Sequence, residues 1–132
     1  MKLNALPPLG LTIAAAIAIL FGVLTIASGG QALFGGPQAR AAVGDAVQFV
    51  LWFNFGAGFA YVLAGAGLLL GWRWAVWLSA AIGIATAVIF AAFAVHVAAG
   101  GAYELRTAGA MTLRLSVWIA ITIVARRTIG RN

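Results

Sequence analysis

Four long apolar stretches, at positions 9–27, 46–70, 74–98 and 108–125, make up most of the chain, and only the last contains a charged residue. Each is long enough to cross about 30 Å of hydrocarbon as a helix. Inside a bilayer the backbone must satisfy its own hydrogen bonds, so such stretches fold as helices rather than as open strands. The expected fold class is therefore all-α, an integral membrane four-helix bundle. One transmembrane domain covers 1–132, with its last helix over 103–126 and a longer outer loop at 28–44.

Composition excludes the alternatives. The chain is 64% hydrophobic and 8% charged, against about 25% charged in soluble domains. It contains no cysteine, which removes disulfides, thiol chemistry and Cys-ligated metals. The formal charge of +6 comes from bases scattered singly at segment ends, without the stripe or patch that nucleic acid requires. The expected partners are the lipid bilayer and other membrane chains, as a homo-oligomer or part of a larger complex, and no nucleic acid.

Glycine and proline mark the breaks. Pro7 and Pro8 precede the first span, where proline suits a helix start. Gly29, Gly30, Gly35, Gly36, Pro37 and Gly44 make 28–44 a loop, with a short helical turn around 39–43. Gly71-Trp72-Arg73 and Gly100-Gly101 make tight turns. The first span also has features of a signal peptide: Lys2 ahead of it and the small residues Ala27-Ser28-Gly29 behind it. Its length and its row of small residues favour a retained helix.

This threading puts Lys2, Arg73, Arg126, Arg127 and Arg131 on one side and only Arg40 and Arg106 on the other. Basic residues accumulate on the cytoplasmic side, so both termini are expected in the cytoplasm of an inner-membrane protein. Trp72, Trp74 and Trp77 then form an aromatic belt near the cytoplasmic headgroups.

Lipid gives helices no hydrophobic reason to associate, so close backbone approach through small residues has to serve. Each span carries a row at four-residue spacing: Gly10/Ala14/Ala18/Gly22, Gly56/Ala60/Ala64 followed by Gly67 and Gly71, Ser79/Gly83/Ala87/Ala91 and Ala108/Thr112/Ser116/Ala120. These predict a tightly crossed bundle.

Arg114 breaks the apolar pattern. A guanidinium near the bilayer centre costs about 3 kcal/mol or more and normally faces protein or water. At about 100° per residue, Glu104, Thr107, Met111, Arg114 and Trp118 fall within roughly 80° of each other, away from the small-residue row. The last helix thus has two faces to bury, one tight and one polar. Glu104 and Arg114 lie about 15 Å apart along the axis, too far to pair directly. Arg114 is expected to turn inward and bond to Asn54, to backbone carbonyls, or through water to Glu104.

The topology gathers more polar groups at the outer end. His96, Tyr103, Glu104, Arg106, Thr107 and Asp45 should cluster there, with Arg114 and Asn54 deeper. The spacing brings Glu104 to His96 or Arg106. Plainer roles compete with this reading: Asp45 as a helix N-cap, His96 as a cap on a helix C-terminus, Glu104 and Arg106 as a solvated pair, Asn54 as interhelical glue. His96 is the only metal-ligand candidate, and one histidine does not make a site. The rings at Phe49, Trp52, Phe53, Phe55, Phe59, Tyr61, Phe90 and Phe93 either line a slot for a flat apolar ligand or fill the interior and face lipid; the second use is the expected one. No nucleophile elbow, phosphate-binding loop or zinc-protease motif occurs.

The run Ala64-Gly65-Ala66-Gly67-Leu68-Leu69-Leu70-Gly71-Trp72-Arg73, a glycine-rich helix end passing into a short basic turn and an alanine-rich helix, resembles the DoxX-like small four-helix membrane proteins. The likeness covers about 56–90. It implies a link to membrane redox complexes, including quinone-linked sulfur oxidation, and transfers no functional residue to this chain.

The functional expectation is a non-enzymatic membrane subunit or small-ligand binding protein with a polar site at the outer end. One alternative is a transporter or channel for a proton, anion or small solute using Arg114. Another is a quinone- or metal-linked redox component near His96. No cofactor is strongly implied.

Overall fold

A computed structural model describes residues 8–129. Lys2, Pro7 and Arg131, used above for orientation and for the first helix start, lie outside the described residues. The described chain forms α1 (Leu9–Phe34), α2 (Pro37–Val43), α3 (Gln48–Leu69), α4 (Arg73–Ala98) and α5 (Leu105–Thr128). Its four long helices are each long and apolar enough to cross a membrane. Most of their surface faces outward: Leu20, Leu24, Leu63, Ile84, Val88 and Leu113 are exposed. Apolar exposure on this scale fits hydrocarbon and not water. The molecule is an all-α, multi-pass membrane protein.

The helices close a ring in the order α1–α3–α4–α5, with α1 also touching α5. The pairing of α1 with α3 is the most extensive. There the backbones meet. A Cβ added at Gly22 would lie 2.7 Å from the Gly58 carbonyl oxygen and 2.9 Å from the Val62 nitrogen, and one at Gly65 would lie 2.9 Å from the Ala15 oxygen. The main core stacks Ala15, Ala18, Tyr61, Leu68, Trp118 and Ile121. A smaller core of Val47, Val50, Phe93 and Met111 lies at the α2 end.

The small-residue rows hold in part: Ala14, Ala18 and Gly22 on α1, Ala64 on α3 and Ser79 on α4 are buried, and the other members need correction. Gly56 is exposed and has no neighbour where its Cβ would be. Ala87 and Ala91 on α4, and Thr112, Ser116 and Ala120 on α5, also face outward. In a chain this rich in alanine and glycine, rows at four-residue spacing arise on every face. The contact uses Ala15, Ala18, Gly22 and Gly29 against Gly58 and Gly65, whose spacings of three, four and seven residues follow a straight seam.

The loop also needs correction. Helix α1 runs on through Gly29-Gly30 to Phe34. Gly29 packs on Phe55, 3.1 Å from its Cβ to where a Gly29 Cβ would stand, and Phe34 meets Trp52 and Phe55 edge-on. These contacts with α3 outweigh the roughly 1 kcal/mol of helix propensity that each glycine forfeits. Pro37 opens α2 at its first position, after Gly36 at φ 90°. Helix α2 buries none of its side chains.

Both tight turns are glycine-ended helix caps of one kind. Trp72 N–H bonds Gly67 O and Gly71 N–H bonds Leu68 O; Gly101 N–H bonds His96 O and Gly100 N–H bonds Val97 O. Gly71 and Gly100 take φ 72° and 88°, which this cap demands. Asp45 does not cap α3: Val47 holds that position with no side-chain bond.

Candidate functional site

Met111, Arg114, Trp118, Ile121 and Ala125 recur at steps of three and four, so α5 turns one continuous face inward. Arg114 is thereby carried into the bundle and away from lipid. Its Nη1 donates to Thr25 Oγ1 at 2.9 Å and to Tyr61 Oη at 3.4 Å. The guanidinium also lies over the rings of Phe21 and Tyr61, 5.5 and 6.0 Å from their centroids. Desolvated contacts of this kind contribute up to about 2 kcal/mol.

The expected partners of Arg114 were different. Its direct hydrogen bonds go to hydroxyls on α1 and α3, and Glu104 is occupied elsewhere. Thr25 was missed because a threonine in an apolar span usually bonds its own helix. Its depth was a usable signal, since Thr25 sits as far from the α2 end of α1 as Arg114 sits from that end of α5.

A cavity of about 360 Å³ lies on the α2 side of the Arg114–Thr25 bond. Thr25, Ser28 and Ala32 from α1, Val50, Leu51 and Asn54 from α3, and Arg106, Thr107, Ala110 and Arg114 from α5 line it, with Val43, Ala46 and Val47 over its end. Small side chains at Ser28, Gly29, Ala32 and Ala110 leave the space between α1 and α5 unfilled. Ser28, Arg106 and Ala110 are solvent-accessible at its rim. Arg114 Nε and Asn54 Oδ1 are buried without a hydrogen-bond partner. Both residues line the cavity while the two atoms themselves are covered. Unsatisfied buried groups cost about 1–3 kcal/mol each, so a tilt of either side chain toward a bound group would be stabilising.

Four of the expected site residues therefore line this cavity: Asn54, Arg106, Thr107 and Arg114. The other four do not. Glu104 accepts the Asp45 backbone N–H at 2.9 Å and stands 3.8 Å from Arg106, whose Nη2 also donates to Ala42 O at 2.8 Å. This clasp ties α5 to the segment after α2. The expected approach of Glu104 to Arg106 is present, but Glu104 does not meet His96. The His96 ring bonds Ala102 O through Nε2 at 2.8 Å, lies edge-on to Phe49, and packs under Gly101. Tyr103 lies edge-on to Phe93. The single outer cluster thus divides: one half borders the cavity, the other closes the α4–α5 turn. Among the described residues no three His, Cys, Asp or Glu side chains come together.

Glu104→Ala should loosen the segment around α2. An exposed charge-assisted bond to a backbone N–H contributes about 1 kcal/mol, which is about a fivefold change in local opening. Trypsin cleavage after Arg40 and amide exchange at Asp45 should accelerate by that factor, with melting of the long helices unchanged.

Beyond Arg114 a layer of large rings fills the interior, with Trp118 Nε1 also buried without a partner. Trp118 and Tyr61 are fully buried, their rings 4.9 Å apart. The hydroxyls of Ser79, Thr86 and Thr122 each bond a carbonyl of their own helix. No aromatic ring of α3 lines the cavity, so the rings form no slot there; Trp52 and Phe59 face outward.

No family model, curated protein or solved structure matches this chain.

Proposed function

We propose that this protein is a small-ligand binding protein of the cytoplasmic membrane, with both termini in the cytoplasm and the α2 end of its cavity outward. One observation carries the reading: among the described residues Arg114 has no acidic partner, and its charge stands on the wall of a cavity. A guanidinium held at membrane depth by hydroxyls and ring faces alone retains an unmatched positive charge, and such residues mark functional sites. The cavity's polar groups, a guanidinium, an amide and hydroxyls, are suited to binding and orienting a ligand. The packed Tyr61–Trp118 layer supports binding over a transport path. The DoxX-like redox reading gains no residue from the cavity.

The chain has no cysteine, so single introduced cysteines report access without background. Thr107→Cys, at the outer edge of the cavity beside the exposed Arg106, should react with a membrane-impermeant anionic thiosulfonate added outside sealed cells. Thr122→Cys, beyond the Trp118 layer, should not. Labelling of Thr107→Cys only from the cytoplasmic face would reverse the orientation. Equal labelling of both positions from outside would replace the binding reading with a channel.

A further inference from the structure

We infer that the ligand is a small amphipathic monocarboxylate, an acid with a compact apolar body, that reaches Arg114 from the bilayer through the cleft between α1 and α5. This rests on the binding reading above and adds the ligand's chemistry and route. Charge comes first. The floor of the cavity offers one guanidinium whose Nη1 is engaged by Thr25 and Tyr61, while its Nε is covered and without a partner, so that a small tilt toward the cavity would present the Nε edge to a ligand. The Nε side of a guanidinium presents two parallel N–H groups, a fork that matches the two oxygens of a carboxylate.

The second cation, Arg106, is committed to Ala42 O and Glu104 at the rim. One free positive group suits a monoanion better than a phosphate dianion, for which proteins assemble several donors.

The walls specify the body. Away from Arg114, Ala32, Val43, Val47, Val50, Leu51 and Ala110 present hydrocarbon. A volume of about 360 Å³ is near the lower end for small-molecule pockets. A short acyl chain or single ring fills it and a long lipid tail does not.

The route follows from where the cavity is covered. Val43, Ala46 and Val47 lie over its end, and Arg106 ties that segment to α5 through Ala42 O. The α1–α5 side has no such cover. Its edges are the exposed residues Ser28 and Ala110, and the hydrogen bond that joins the two helices, from Arg114 to Thr25, lies deeper. An opening between two membrane helices faces lipid, where an amphipathic acid already resides.

The test uses Ala110→Cys protein in lipid nanodiscs and its modification by the small neutral reagent methyl methanethiosulfonate. Octanoate should slow the reaction at least tenfold, and Arg114→Leu in the same background should abolish that protection. Octanol, acetate and sulfate should protect little. Equal protection by octanol would overturn the carboxylate and leave an apolar ligand site. Equal protection by acetate or sulfate would overturn the apolar body and leave a simple anion site. Oleate carried in the nanodisc separates the sources: weak protection supports a compact acid, and protection stronger than octanoate's would assign the site to a membrane lipid. A reactive cysteine that no compound protects would overturn the ligand class. A cysteine that the reagent never reaches would overturn the cavity reading itself.

Discussion

Gly22→Ala should destabilise the bundle, although alanine is the better helix former. In an exposed helix the change adds about 0.5–1 kcal/mol of stability. Here the new methyl would stand 2.6 Å from Val62 Cγ2, 2.7 Å from the Gly58 oxygen and 2.9 Å from the Val62 nitrogen. Two of those neighbours are backbone, so α1 and α3 must separate along their length. Overpacking of this kind costs about 1–3 kcal/mol, and Gly22→Val should exceed it. The expected result is a melting temperature lower by roughly 5–15 °C for Gly22→Ala. Gly56→Ala, with open space at its Cβ, should leave melting unchanged or raise it slightly. Each variant adds one methyl, on neighbouring helices of the same pair. A Gly22→Ala protein as stable as the parent would mean that the α1–α3 backbones are not in contact.

Arg114→Leu should insert, fold and lose ligand binding. Leucine retains the volume and removes the charge. Thr25 can return its hydroxyl to its own helix, and Tyr61 keeps its stacking on Trp118. A buried ion replaced by an apolar side chain is often neutral or stabilising, so melting without ligand should hold or rise. Binding should fall by about 10- to 100-fold, since a hydrogen bond to a charged group contributes about 1.5–3 kcal/mol. Arg114→Lys should keep part of the affinity, because an ammonium supplies charge without the planar fork. Equilibrium binding of octanoate by calorimetry, with melting in parallel, separates these outcomes. Full affinity in Arg114→Leu would leave the residue without a role in the cavity.

Hydropathy made the four spans legible because a bilayer permits no competing structure for such stretches. It misplaced the end of α1, where Gly29-Gly30 reads as a break in isolation and becomes a contact surface once Phe55 is opposite. That Arg114 turns inward followed from its cost in lipid. Its partner did not, since Thr25 becomes the partner only when α1, α3 and α5 are side by side. The rows of small residues were legible in part for the opposite reason: Ala14, Ala18 and Gly22 are buried as their spacing suggests, but the chain offers too many such rows, and the spacing alone does not pick out Gly22, Gly29, Gly58 and Gly65, which have the backbone of the opposite helix facing them. The outer cluster was half legible. Topology brings His96, Tyr103, Glu104 and Asp45 to the right end, but side-chain direction separates them from the cavity that holds Asn54, Thr107 and Arg114.

The depth of Arg114 makes occupancy of the cavity an electrical event. It is the tenth residue of the 24 in α5, a little under half way across from the α2 end. With that end outward, an anion that settles there has crossed nearly half of the membrane field toward the negative side. A full crossing costs about 2.3 kcal/mol per 100 mV, so this one costs about 1 kcal/mol, close to fivefold in affinity. On the binding reading proposed above, the side chain that would select an anionic ligand would also set a voltage dependence: an energised membrane would empty the cavity outward, and a depolarised one would fill it.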